Sequence, residues 1–158
     1  MLKGNYLITI DPGSRGTGYA VWDLDFFNEY KKPKLVENGV WPPSRRNPIL
    51  RKFKKLLLKF NSTKVVIENA SFMDGNARTQ AAARSGALVK LAQFIGRIQQ
   101  ICEDVGVKWE LIEVNKWKGS LPKEIVKRRI LRVMPRIRAK SHDWDAIGIG
   151  LYYQGVMK

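Results

Sequence analysis

Apolar and polar positions along the chain change rhythm several times, and each change marks an element. YLITID, residues 6–11, reads as a strand closed by the turn pair Pro12 and Gly13. GYAVWDL, residues 18–24, resumes the pattern, so the two segments form a hairpin joined by PGSRGT. A polar turn over residues 28–33 leads to a third strand at 34–41. Prolines 42, 43 and 48 precede a helix at 48–60, with Pro48 in its first turn, where a missing N–H costs little. KVVIE, residues 64–68, is a short and nearly continuous apolar run, as in a strand covered on both faces. The longest helical pattern covers 77–102, with an apolar face at Leu88, Leu91, Ala92, Ile95, Ile98 and Ile101. A strand at 108–114 and helices at 122–134 and 142–153 follow, the last with Ser141 as N-cap. A meander followed by alternating units predicts an α/β fold: one mixed five-stranded sheet with helices on both faces.

Length and charge narrow the picture. The 158 residues suit one domain, 1–158. No segment approaches the roughly 20 apolar residues of a membrane span. The opening MLKGNYLITI enters a strand pattern directly, without leader organisation, and a cytoplasmic protein is the expectation. The single cysteine, Cys102, excludes an internal disulfide and suits a buried position. Lys and Arg number 29 against 14 Asp and Glu, a formal net charge of +15, which attracts polyanions. The cations cluster: Arg45, Arg46, Arg51, Lys52, Lys54, Lys55 and Lys59 form one group, and a second runs from Lys116 to Lys140. Neither cluster faces a strong Trp/Phe/Leu stripe, so nucleic acid fits better than a membrane surface.

Against this basic background a few acids stand in odd places. Asp11 ends the first strand and Glu68 ends the central one. His142, Asp143 and Asp145 open the last helix. Each has a plain structural role open to it: Asp11 as a turn cap, Glu68 as partner of a cation, and the helical acids as complements of the helix dipole. A carboxylate terminating an apolar strand is costly to bury unpaired. A divalent cation satisfies all of these acids together, and oxygen donors from separate elements suit Mg²⁺. Two such ions about 3.5–4 Å apart can activate water and stabilise the leaving oxygen of a phosphodiester. On the last helix, His142 and Asp145 are three apart and share a face. The rival pair, Asp143 with Asp145, needs a frayed first turn.

Four segments together resemble the RuvC family of Holliday junction resolvases. ITIDPGSRGTGYAVWD resembles its first motif, and VVIENASFMDGNARTQAAARSGAL its second. GSLPKEIVKR is similar to the stretch carrying a DNA-contacting lysine, and HDWDAIGIGLYY to the final helix motif. The step from Glu68 to Phe72 is one residue longer than in bacterial members, as in a divergent, phage-type protein, for which the compartment is the host cytoplasm.

The resemblance implies an RNase H-like fold and a metal-dependent crossover junction endodeoxyribonuclease. Asp11, Glu68, His142 and Asp145 would ligate two Mg²⁺ ions, with Mn²⁺ able to substitute. Lys123, with Lys116 and Lys118, would neutralise the scissile phosphate. Phe72 would stack on or wedge between bases at the crossover, and Arg15 would touch phosphate; an ordinary core aromatic and a solvated turn residue are the alternatives. Branched DNA with four arms is the implied substrate. Two symmetric cuts imply a C2 homodimer, with Ala82, Ala83, Gly86 and Ala87 open to a partner helix. Other RNase H-like nucleases, acting on flaps or RNA–DNA hybrids, and a non-catalytic junction-binding module share most of these features.

The basic clusters generate the first test. Neutralised phosphates release counterions, so affinity for DNA should fall steeply with salt, on the order of 10³-fold between 50 and 200 mM if about six phosphates are contacted. Gel shifts across that range measure the slope; a flat profile would remove nucleic acid as the partner of these clusters.

Overall fold

A computed structural model describes residues 4–13, 16–43, 46–69, 81, 85–140 and 142–157. In chain order the elements are β1 (Tyr6–Gly13), β2 (Gly16–Asp23), α1 (Leu24–Tyr30), β3 (Leu35–Trp41), α2 (Arg46–Phe60), β4 (Lys64–Glu68), α3 (Ala87–Val105), β5 (Lys108–Ile112), α4 (Val114–Trp117), α5 (Lys123–Val133) and α6 (Asp143–Tyr153). The five strands form one sheet in the order β3-β2-β1-β4-β5. β1 pairs antiparallel with β2, and β2 with β3, whereas β4 runs parallel to both β1 and β5. This is the mixed sheet of an RNase H-like fold.

Strand alternation splits the core into two layers. Ile8, Ile10, Val21, Val65 and Ile67 face α2 and α3, meeting Phe53, Leu57, Phe60, Phe94, Ile98 and Cys102. Leu7, Ala20, Trp22 and Val66 face the other way, toward Trp117, Val126, Ile130, Ile147 and Ile149 of α4, α5 and α6. Helices therefore cover both faces, as the sequence pattern predicts. On α3 the buried stripe is Phe94, Ile95, Ile98 and Cys102; Ala92, expected inside, is exposed. The stripe is rotated because Phe94 carries more apolar area than Ala92 and takes the inward position.

The structure departs from the sequence reading in three places: Pro12 and Gly13, read as the turn that closes the first strand, are paired in the β1–β2 ladder; α4 follows β5 unannounced; and α1 is a further helix. Residues expected to approach a polar turn form α1, whose N-cap is Asp23: its carboxylate accepts the Phe26 N–H at 2.9 Å. No residue of α1 is buried, so hydrophobic periodicity carries no signal of it. Capping is the signal that was available.

α6 sets the architecture of the second layer. Residues 143–151 of this helix are all buried. A helix apolar all round belongs inside a protein, and here it lies across β1 and β2 with almost no spacing. Thr9 donates its hydroxyl to the Ala146 carbonyl at 2.6 Å and receives the Trp22 indole N–H at 3.2 Å, which ties both strands to the helix. Close approach requires missing side chains. A Cβ on Gly18 would fall on the His142 carbonyl, and one on Gly150 would fall on the Trp22 indole.

Gly150→Ala should therefore lower stability. Overpacking of this kind costs about 1–3 kcal/mol, and each kcal/mol shifts the melting temperature of a domain this size by about 2–4 °C. Gly96→Ala, on α3 with open space around its Cβ, should be neutral or stabilising. Thermal melts of the two variants check this, and equal losses would contradict the contact at Trp22.

Candidate active site

The sheet brings two acids together where the ladder between its interior strands β1 and β4 ends. Ile10 pairs with Ile67 across the parallel β1–β4 ladder, so the following residues, Asp11 and Glu68, are neighbours just past its last pair. Because Ile10 and Ile67 face α2 and α3, alternation turns Asp11 and Glu68 toward the layer of α6. β4 is continued for one step by the Asn69 N–H on the Ile112 carbonyl, and the Asn69 amide binds Glu113 at 2.6 Å, which fixes the chain just past Glu68.

α6 delivers the rest from its first turn. His142 is the N-cap, with its Nδ1 3.6 Å from Asp11 Oδ2. Asp145 turns into the same space, where its carboxyl is raised above the usual range by burial first and by the Asp11 charge as well, against the pull of Lys118 and Lys123. Asp143 points elsewhere. It is 2% exposed and accepts the Asn38 amide of β3 at 2.8 Å. Asp11, Glu68, His142 and Asp145 thus come together, and Asp143 lies off the cluster.

The three candidate lysines separate. Lys118, the C-cap of α4, places its ammonium 3.5 Å from Asp145 Oδ2. Lys123 begins α5 and is felt by Asp145 as a more distant positive charge. Lys116 is exposed on α4. The resemblance of GSLPKEIVKR singles out Lys123, and only the turn after Trp117 explains why Lys118 makes the contact. Arg15 and Phe72 lie outside the described residues, as do Ala82, Ala83 and Ser141.

A residue that the sequence reading passed over completes the cluster. Trp117 is 3% exposed and donates its indole N–H to Glu68 Oε2 at 2.8 Å. A tryptophan directly before a lysine in the candidate lysine stretch was the visible signal.

The electrostatics ask for cations. Glu68 is pushed up to about 8, by burial first and by Asp11 next, while Lys118 and the Trp117 N–H oppose the shift. Asp145 Oδ1 is buried with no hydrogen-bond partner. Three carboxylates share one close ammonium, and a cation between them would satisfy the unpartnered Asp145 Oδ1; Asp143 Oδ1, off the cluster, is unpartnered as well. Among the described residues, no three His, Cys, Asp or Glu groups are already gathered tightly enough to enclose a metal ion. The donor set nonetheless fits one: oxygen ligands from three elements with an imidazole beside them. No helix among the described residues is long and apolar enough to cross a membrane.

Comparison with known proteins adds the frame. No family profile matches the sequence, and no curated protein matches it significantly. Solved structures do match. Thermus thermophilus RuvC, determined in complex with a Holliday junction substrate, superposes with a TM-score of 0.67 over 97% of this chain and 98% of its own, at 19% identity. The fowlpox virus resolvase, in complex with substrate Holliday junction DNA, gives 0.60 over 96% and 99%, at 14% identity. The fold of these resolvases is therefore shared along nearly the whole chain.

The raised carboxyl of Glu68 gives a pH test. From about pH 4.5, where an ordinary glutamate ionises, to about 8, the unfolded chain has lost a proton that the folded site keeps. This group thus contributes a loss of stability as pH rises through that window, and no change below it. Without divalent metal, Glu68→Gln should melt at least about 2–4 °C higher than wild type at pH 8.5, the shift that ~1 kcal/mol gives in such a domain, with the gap closing toward pH 4. A gap that widens toward acid would reverse the assignment.

Proposed function

We propose that this chain is a metal-dependent endonuclease that resolves four-way DNA junctions by hydrolysing one phosphodiester in each of two opposed strands. The observation that carries the reading is the convergence of Asp11, Glu68 and Asp145 from two adjoining strands and a helix start, beside Lys118, in a chain of net charge +15. Neither the acids nor the cations alone would suffice. The shared fold with two junction resolvases supports the choice of substrate.

Asp11, Glu68, His142 and Asp145 would hold two Mg²⁺ ions, or Mn²⁺ in their place. Bound there, the metal supplies an activated water and charge to stabilise the leaving oxygen. The protein does the remainder. Lys118 and Lys123 set positive charge beside the acids, where the negative charge of the scissile phosphate must be accepted. α5 extends this field with Arg128 and Arg132 exposed and with Lys127 5.4 Å from the Trp144 ring. On the opposite face, α2 exposes Arg51, Lys52, Lys54, Lys55 and Lys59, suited to a second arm of the junction. Burial of Asp11 and Asp145 limits competing water, so their charges act at low dielectric.

Paired cuts call for two active sites, and we take the working unit as a C2 homodimer. The start of α3 suits a symmetric contact: Ala87 is exposed, Val89 is 55% exposed, and Gly86 has open space at its Cβ.

Asp11→Asn and Asp145→Asn should each reduce cleavage of a synthetic four-way junction by at least about 10³-fold, the scale set by loss of a key transition-state interaction, while junction binding in gel shifts stays near wild type. Asp143→Asn should be mild and His142→Ala severe. The same preparations, offered a flap, an RNA–DNA hybrid and plain duplex, define the substrate. Faster cutting of flap or hybrid would replace junction resolution with general RNase H-like nuclease activity. Binding without any Mg²⁺-dependent cutting would leave a junction-binding module.

A further inference from the structure

Trp117 occupies a place that ordinary core packing does not explain. It ends the four-residue α4, and its indole N–H is committed to Glu68 Oε2 at 2.8 Å. Its ring lies against α6 at Gly148, where an added Cβ would come within 2.5 Å of it. The neighbouring Lys118 ammonium stands 4.9 Å from the same ring and 3.5 Å from Asp145 Oδ2. One side chain therefore touches, directly or through its neighbour, both the strand acid and the helix acid.

A buried tryptophan usually finds a partner for its N–H, and a backbone carbonyl would serve. Here the partner is a carboxylate whose charged form burial disfavours, and the N–H favours that form. The bond also commits one carboxylate oxygen, so the orientation of the other is set by the indole plane. Gly148 fixes where that plane sits relative to α6. An alanine there would push the ring and the helix apart, displacing Asp145 from Glu68.

We propose that Trp117 is a positioning residue of the metal site: its indole aims the Glu68 carboxylate and, seated on Gly148, registers that carboxylate against Asp145. This rests on the metal-dependent reading above. Removing a partner that orients a metal ligand typically costs about 10- to 100-fold in metal affinity. Trp117 itself need not touch metal or DNA.

Trp117→Phe deletes the N–H and also withdraws the six-membered ring that meets Gly148, so both contacts of the proposed role are removed while an aromatic ring stays in place. Mn²⁺ binding to the wild-type protein and to this variant, measured by calorimetry without DNA, should differ at least about tenfold in dissociation constant. Half-saturating Mg²⁺ for junction cleavage should rise in parallel, with the rate recovering at high metal and metal-free junction binding unchanged. Equal Mn²⁺ affinities would overturn the role of Trp117 and leave the nuclease reading intact. No Mn²⁺ binding by the wild type would overturn both.

A second measurement covers the case in which Trp117→Phe does not fold. The chain has five tryptophans. In ¹H–¹⁵N spectra of the wild type, two indole resonances should carry the downfield shift of a bond to carboxylate, that of Trp117 on Glu68 and that of Trp109 on Glu103. Glu68→Ala should move one of the two upfield and leave the other and the rest nearly in place. Five indole resonances unmoved by Glu68→Ala would overturn the proposal.

Discussion

The docking of α6 directly on the β1–β2 ladder is the constraint on which the rest depends. The helix is buried throughout residues 143–151, and its backbone comes close enough for Thr9 to bond its Ala146 carbonyl. A typical helix-on-sheet contact is spaced by side chains, which leaves latitude in height and rotation. Here glycines on both partners remove that spacing, so the helix has one seat. Because Asp145 sits in its first turn and Asp11 on β1 just past the last pair with β4, the seat fixes the distance between acids that are remote in sequence. Interiors packed this tightly transmit displacement instead of absorbing it.

Charge works at two ranges in this molecule. The surplus of 15 positive charges is carried mainly by exposed side chains of α2 and α5, where its effect on a polyanion is attraction and orientation. Where the β1–β4 ladder ends the sign inverts. Burial and the mutual repulsion of Asp11, Glu68 and Asp145 raise carboxyls there, and Lys118 offsets only part of the excess. An anionic backbone drawn in by the surface would meet repulsion at the acids unless cations stand between. On the metal-dependent reading proposed above, the buried acids and the basic surface are thus complementary.

The sheet and its two helical layers were legible from periodicity, because strand and helix rhythms alternate cleanly from residue 64 onward. Asp11 and Glu68 were legible as acids ending apolar runs, a pattern that burial makes expensive. Three features were not. α1 has no buried face, so it left no hydrophobic trace. Lys118 could not be separated from Lys116 and Lys123, since the choice depends on how the chain turns after α4. Trp117 was passed over, because beyond its place beside Lys118 a hydrogen bond between positions 117 and 68 has no local signature. The glycines of the hairpin suggested a turn; their second use, clearance for the His142 backbone, becomes visible only when the last helix is in place.

The bond from Thr9 to Ala146 spans 137 positions of sequence. Contacts of that separation form late, since loop closure must precede any gain from them. Strands β1 to β4 can assemble with the helices of the first layer while the cluster still lacks Asp145, Lys118 and Trp117. Under the proposed function, a partly folded chain would present its basic surface to DNA before it had the means to cut. Completion of the fold and acquisition of that chemistry would then be a single event, so the order in which the chain condenses would protect the DNA already bound.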